Sequence, residues 1–232
     1  GHLTKLCSMA ILAVIASISF SVLAMGEEPA SEPIEKIVYM INPFGRAEYD
    51  DFGLVQSEGQ TLKLATFTTH AMGFDDVEKI YSDPATSFPV RVERNISWWF
   101  SKEYLVEHYD QKNFTLFIEK FIDGKKVDEY TFKKDAPIHN AIILPFYLRS
   151  IKDLKVGWTF TAKVPQDYAL KLISIEKIRV PLGRFEAFHF ICVPDKIEIW
   201  ISTDSTRVPL KIKGKSGVGH ILYLIEHTMK KE

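Results

Sequence analysis

The sequence predicts a mainly β protein: one large curved antiparallel sheet or half-barrel, with a short helix near residues 145–151. Short runs of alternating apolar and polar residues recur between turn signals along most of the chain, the period of a strand with one buried face. An Asp123-Gly124 pair sits between two such runs, and a tight hairpin turn needs positive φ at both of its central positions, which this pair tolerates. Residues 140–151 are nearly all apolar with no period of two, and Pro145 suits the first turn of a helix.

Taken in order, residues 1–24 read as a secretory signal peptide. Lys5 precedes an uncharged run over residues 6–26, and Val22 and Ala24 stand at −3 and −1 of a cleavage point. Residues 25–33 are acidic and contain proline, which predicts a flexible leader. A single β-rich domain is expected over residues 34–232. Alternation marks strands at residues 62–68, 88–92, 104–109 and 114–118, then on either side of Asp123-Gly124. In the second half it marks residues 160–164 and a long run from Leu170 to Val180. The apolar phase of that run slips between Ile173/Ile175 and Ile178/Val180, the signature of a bulge or bend. Further strands follow over residues 185–193, 197–201, 208–212 and 218–227. About a dozen strands suffice for a large sheet, barrel or sandwich.

Charge and cysteine usage narrow the function classes. The 232-residue chain has 29 basic and 30 acidic residues, and without residues 1–24 it has 28 against 30. That balance lacks the basic excess of a nucleic-acid binder. Lys125, Lys126, Lys133 and Lys134 cluster locally but read as a solvated strand face. Beyond residue 24 Cys192 stands alone, without a partner for an internal disulfide, and its strand context predicts burial. No membrane span is expected once residues 1–24 are removed.

Familiar chemical motifs are absent or incomplete. Gly214-Lys215-Ser216 ends like a phosphate-binding loop, but Pro209 stands where that motif needs its first Gly. The His residues lack zinc-protease spacing, and no nucleophile elbow occurs. Asp50-Asp51 and Asp75-Asp76 read as loop carboxylates. No metal or cofactor is predicted. The densest constellation is the hairpin over residues 198–213. Asp204 lies near its tip, placed to accept turn N–H groups, with Arg207 within pairing reach. Trp200 faces opposite to Ile199 and Ile201, so the second face of that strand must also be covered or line a cavity.

That hairpin, Trp200-x-Ser202-x-Asp204-x-x-Arg207-x-Pro209-x-Lys211-Ile212, resembles the bacterial family called domain of unknown function 3108. So do Tyr147-x-Arg149 after His139-Asn140, Gly157-Trp158, and Val180-Pro-x-Gly183-x-Phe185. The resemblance covers residues 80–224 and implies an exported envelope protein with a β-rich fold and no established activity. More loosely, the pattern is similar to the half-barrel sheets of lipoprotein carriers.

Three readings follow. The first is a non-enzymatic module, periplasmic or associated with the outer envelope. Its curved sheet would bind an apolar ligand such as a lipid, with His139, Asn140, Arg149, Trp200, Asp204 and Arg207 as ligand-binding candidates. Aromatic excess motivates it, notably Trp98, Trp99, Phe100, Phe117, Phe188 and Phe190, with the Trp98-Trp99 pair or Trp200 expected to face the cavity. The same aromatics also fit a sheet simply packed on both sides. The second reading is an envelope scaffold that docks a protein partner along an exposed sheet edge. The third is a hydrolase using His139 and a carboxylate.

Overall fold

The computed structural model describes residues 31–215 and 219–231, so the predicted signal peptide and most of the leader lie outside the described residues. Eight strands come first: β1 (Glu35–Asn42), β2 (Arg46–Ser57), β3 (Gln60–Ala71), β4 (Phe74–Ser82), β5 (Pro89–Trp98), β6 (Lys102–Asp110), β7 (Thr115–Ile122) and β8 (Lys125–Lys133). A one-turn helix α1 (Leu144–Tyr147) runs into a 3-10 turn, Leu148–Ser150. Six more strands follow: β9 (Thr159–Ala162), β10 (Tyr168–Val180), β11 (Gly183–Val193), β12 (Ile197–Ser202), β13 (Pro209–Gly214) and β14 (His220–Met229).

All fourteen strands form one antiparallel sheet in the order β8-β7-β6-β5-β4-β3-β2-β1-β14-β13-β12-β11-β10-β9. It is two meanders joined by the first and last strands, with Glu35 opposite Met229 and Asn42 opposite Ile221. The sheet is not closed. Its two ends meet where the segment after β8 runs beside the segment after β9, through a parallel bridge between Ile138 and Lys163 and the ion pairs Lys134–Asp167 and Asp135–Lys163. The predicted mainly β class with a short helix is therefore observed, as an open sheet rather than a closed barrel.

Local sequence explains the strand boundaries. Asp123 and Gly124 adopt φ of 48° and 78°, the left-handed pair that the tight β7–β8 turn requires. A register break does occur in β10, but between Leu172 and Ser174, ahead of the phase slip read between Ile175 and Ile178; from Ser174 to Val180 the pairing is regular. The edge strand β8 is exposed along nearly its whole length, with only Phe132 partly buried. Lysines on such an edge discourage pairing with another chain.

The helix acts as a plug. Leu144, Pro145 and Phe146 are buried, and Phe146 stacks on Tyr49 of β2 with ring centroids 3.9 Å apart. Asn140 Oδ1 accepts from the backbone N–H groups of Ile142 (2.9 Å) and Ile143 (3.3 Å), which fixes the approach to the helix. Apolar residues on β1–β7 and β13–β14 form one core cluster with Phe146; Leu144 and Leu148 pack into a second with β9–β12.

Several expectations need correction. Asp50-Asp51 and Asp75-Asp76 are not in loops but within β2 and β4, where Asp51 and Asp76 are buried and paired with Lys63 and Arg94. Trp98, Trp99 and Phe100 face solvent, not a cavity, at 51%, 71% and 95% exposure, because they form the β5–β6 turn. Alternation predicts them inside only if the strand continues through them, and it ends at Trp98.

Candidate functional site

Under α1 lies a partly open cleft of about 360 Å3, bounded by β1–β4, the helix and the β12–β13 turn. That size falls at the lower end of small-molecule pockets, roughly 300–1,000 Å3. Its floor is apolar and aromatic, from Tyr49, Ala65, Ile80, Ile143 and Phe146. Its mouth is charged, from Glu35, Asp51, Lys63, Arg149 and Arg207.

Two ion pairs neutralise most of that charge. Arg149 grips Glu35 with both guanidinium ends, at 3.0 Å (Nη1–Oε2) and 2.6 Å (Nη2–Oε1), the fork geometry that matches a carboxylate. Its Nη2 also donates to the Thr206 carbonyl at 2.9 Å. His227 Nε2 lies 2.8 Å from Glu35 Oε1. Burial alone would push the Glu35 carboxyl up, but the hydrogen bonds and charges of His227 and Arg149 bring it down to about 2. Lys63 Nζ meets Asp51 Oδ2 at 2.8 Å.

Arg207 is different. It takes a φ of 49° at the end of the hairpin turn, and its guanidinium lies 4.7 Å over the Phe188 ring. Its Nη1 is buried, with no hydrogen-bond partner among the described residues. The expected side-chain pairing with Asp204 does not form. Asp204 Oδ1 instead accepts from Thr206 N (2.9 Å), Thr206 Oγ1 (2.5 Å) and Ser202 Oγ (3.1 Å). Burial would raise the Asp204 carboxyl, yet these turn hydrogen bonds hold it below its ordinary value. With the other two cations paired, Arg207 is the cation of the cleft that has no carboxylate partner among the described residues, and its Nη1 has no acceptor.

Of the residues singled out in the sequence, Arg149 and Arg207 line the cleft, and Asp204 shapes the turn that presents Arg207. His139 and Asn140 stand behind the wall. His139 makes aromatic contacts with Tyr147 (4.6 Å), Phe88 and Phe160 (5.2 Å each), and burial pushes its imidazole down to about 4. A neutral ring in such a cage, with no carboxylate beside it among the described residues, does not resemble a hydrolytic base. Trp200 is not part of the cleft lining. It stacks on His189 at 4.2 Å and donates its indole N–H to Glu176 at 2.8 Å.

Sequence reading missed Glu35, Tyr49, Asp51 and Lys63. A signal existed for the acids. Glu35 is in phase with Ile37, Tyr39 and Ile41, and Asp51 with Ala47 and Tyr49, so both carboxylates occupy inward positions of an apolar alternation. A second inward cluster joins Arg94 to Asp76 (Nη2–Oδ2, 2.6 Å) and to Glu78 (Nε–Oε1, 2.9 Å). Glu78 is 2% exposed with its other oxygen unpartnered, and burial pushes its carboxyl up to about 8. Among the described residues, no three His, Cys, Asp or Glu side chains gather as a metal set would require, and no helix is long and apolar enough to cross a membrane.

An open antiparallel sheet curled around a helical plug, with a cleft beside that plug, defines a β-barrel-like fold. The chain belongs to the family described as protein of unknown function (DUF3108), whose model matches residues 53–226. No curated protein matches the sequence. Among solved structures it is similar to a β-barrel-like protein of domain of unknown function DUF1849 from Brucella abortus. The TM-score is 0.51 at 9% identity, covering 86% of this chain and 98% of that one. At that identity the likeness concerns the fold alone.

Proposed function

We propose that the protein is exported by means of residues 1–24 and serves in the cell envelope as a non-enzymatic binding module. Its cleft takes a small amphiphile that has an anionic group and a short apolar portion. Arg207 carries this reading: it lines the cleft without a carboxylate partner among the described residues, and its Nη1 has no acceptor there, a cost that a ligand anion would offset. The apolar part would lie on Tyr49, Ile80 and Phe146. A wholly apolar ligand leaves Arg207 without an acceptor, so the apolar-ligand reading narrows to lipids or metabolites with an acidic head.

Decanoate and decyl phosphate, titrated calorimetrically into the protein, test this. Saturable binding is expected, and Arg207→Ala should weaken it about 10- to 100-fold, the value of one charge-assisted hydrogen bond. Unchanged affinity in that variant overturns the role of Arg207. Equal affinity for decanol, which lacks the anionic group, restores a purely apolar pocket. The alternative of a scaffold docking along β8 is less favoured, since that edge presents Lys125, Lys126, Asp128, Glu129 and Lys133 within nine residues.

A further inference from the structure

The cleft opens at one end of the sheet, and the opposite end carries a different feature. Three successive hairpin turns, β1–β2, β3–β4 and β5–β6, lie side by side there and bear the largest exposed apolar side chains of this half of the sheet. These are Phe44 (69%), Met72 (76%), Trp98 (51%), Trp99 (71%) and Phe100 (95%). Neighbouring strands are about 4.8 Å apart, so turns two strands apart make a row roughly 20 Å long.

The row is ordered rather than loose. Trp98 packs on Phe74 with ring centroids 4.8 Å apart. Trp99 lies so close over Gly73, whose φ is +72°, that a Cβ there would overlap the indole. A Cβ on Gly45 would come within 2.6 Å of the His70 carbonyl, so the first turn is seated against the end of β3. The fourth turn of this end is attached too, through Asp123 N–H donating to the Lys102 carbonyl at 2.9 Å.

Composition distinguishes this end from the other. Residues 42–46, 71–74 and 98–102 contain Arg46, paired with Glu48 at 2.8 Å, and Lys102 and no acid; the adjacent turn carries Lys125 beside Asp123, whose Oδ1 accepts from the Lys102 N–H at 3.2 Å. Apart from Asp123, acids begin just inside the row, at Glu48, Asp75 and Glu103. The turns at the opposite end of the same strands are polar: residues 57–60 read Ser-Glu-Gly-Gln, and Gln111, Lys112 and Asn113 start the β6–β7 turn. These side chains stand on hairpin turns at one end of the sheet, so a partner must accept protruding side chains. Trp and Phe with basic neighbours are what a lipid–water interface takes in: the rings enter the headgroup and acyl boundary while the cations meet anionic headgroups.

We infer that this end of the sheet, Phe44, Met72, Trp98, Trp99 and Phe100 flanked by Arg46, Lys102 and Lys125, is a docking surface for an anionic phospholipid bilayer. The inference is independent of the cleft, which would then face away from the lipid. All four Trp residues lie at 98, 99, 158 and 200, none within the apolar run of residues 6–26. Trp fluorescence therefore reports on the tips separately from any lipid binding by that run.

The test uses the full chain with phosphatidylglycerol-containing vesicles whose acyl chains are brominated. Trp emission should shift to the blue and be quenched, and Trp98→Ser/Trp99→Ser should abolish the quenching. Phe100→Asp, at a side chain nearly free of contacts, should lower partitioning about tenfold with the near-UV spectrum unchanged. Binding should weaken on phosphatidylcholine alone and in high salt. Vesicle binding without Trp quenching, or Phe100→Asp partitioning like the wild type, overturns the inference; in either case the tips are left to a protein partner.

Discussion

Glu35→Gln is the sharpest probe of how the cleft is held together. Glu35 is 6% exposed and is the shared acceptor of Arg149 and His227. Its carboxyl drops from 4.5 to about 2 in the folded protein. At about 1.36 kcal/mol per pH unit, that corresponds to up to about 3 kcal/mol of stability. Because the folded value lies below the unfolded one, this contribution is complete above about pH 4.5 and fades as pH falls toward 2. Glutamine keeps the shape but not the charge, and it leaves the buried Arg149 without a counter-ion. Urea denaturation at pH 7 should show Glu35→Gln less stable by up to about 3 kcal/mol. Repeated at pH 3, the gap should narrow. A double-mutant cycle with Arg149→Met should return a coupling energy of at least about 1 kcal/mol. Equal stability at pH 7, or a gap that does not change with pH, would refute the assignment of Glu35 as an ionised anchor.

Two further outcomes follow from burial and partners. Trp200→Ala should cost about 3–5 kcal/mol, since the indole is 6% exposed and both stacked and hydrogen-bonded. Asp204→Ala, which loses turn hydrogen bonds, should cost about 1–2 kcal/mol; denaturant melts giving the reverse order would contradict the packing of the two faces. Glu78 has the opposite sign from Glu35. Its carboxyl is pushed up to about 8, so the protein should lose stability as pH rises from about 4.5 through 8. Glu78→Gln should flatten that slope and exceed the wild type at pH 9 in thermal melts, whereas a slope that persists in the variant would rule Glu78 out as its source.

The sequence was most informative where a local rule decides structure. Asp123-Gly124 defines a turn by φ alone and Pro145 marks the first turn of α1, because each depends only on neighbours. It was least informative in the first third. The alternations of β1, β2 and β4 are interrupted by carboxylates that sit on the inward face, and Glu35, Asp51, Asp76 and Glu78 look like loop residues until their cationic partners are known. Those partners are remote: Arg149 lies 114 residues from Glu35, and His227 lies 192. The Trp98-Trp99-Phe100 run carries a different ambiguity. An aromatic triplet reads equally as strand core or as an exposed tip, and only the turn geometry at residues 99–101 decides.

The cleft's composition follows from how the sheet is joined. Glu35, Tyr49 and Asp51 come from β1 and β2, ahead of the segment 53–226 shared with the family, and His227 directly follows it. Lys63, Arg149 and Arg207, the cations of the mouth, all lie inside that segment. Pairing β1 with β14 therefore does more than complete the sheet: it brings the Glu35 carboxylate to Arg149 and sets His227 beside it. Without that pairing Arg149 would lack Glu35, while Lys63 would keep Asp51, which the β2–β3 pairing places beside it. With it, the positive charge is reduced to Arg207 alone. The ligand preference proposed here, one anionic group and not several, thus rests on β1–β14 pairing for Arg149 and on β2–β3 pairing for Lys63.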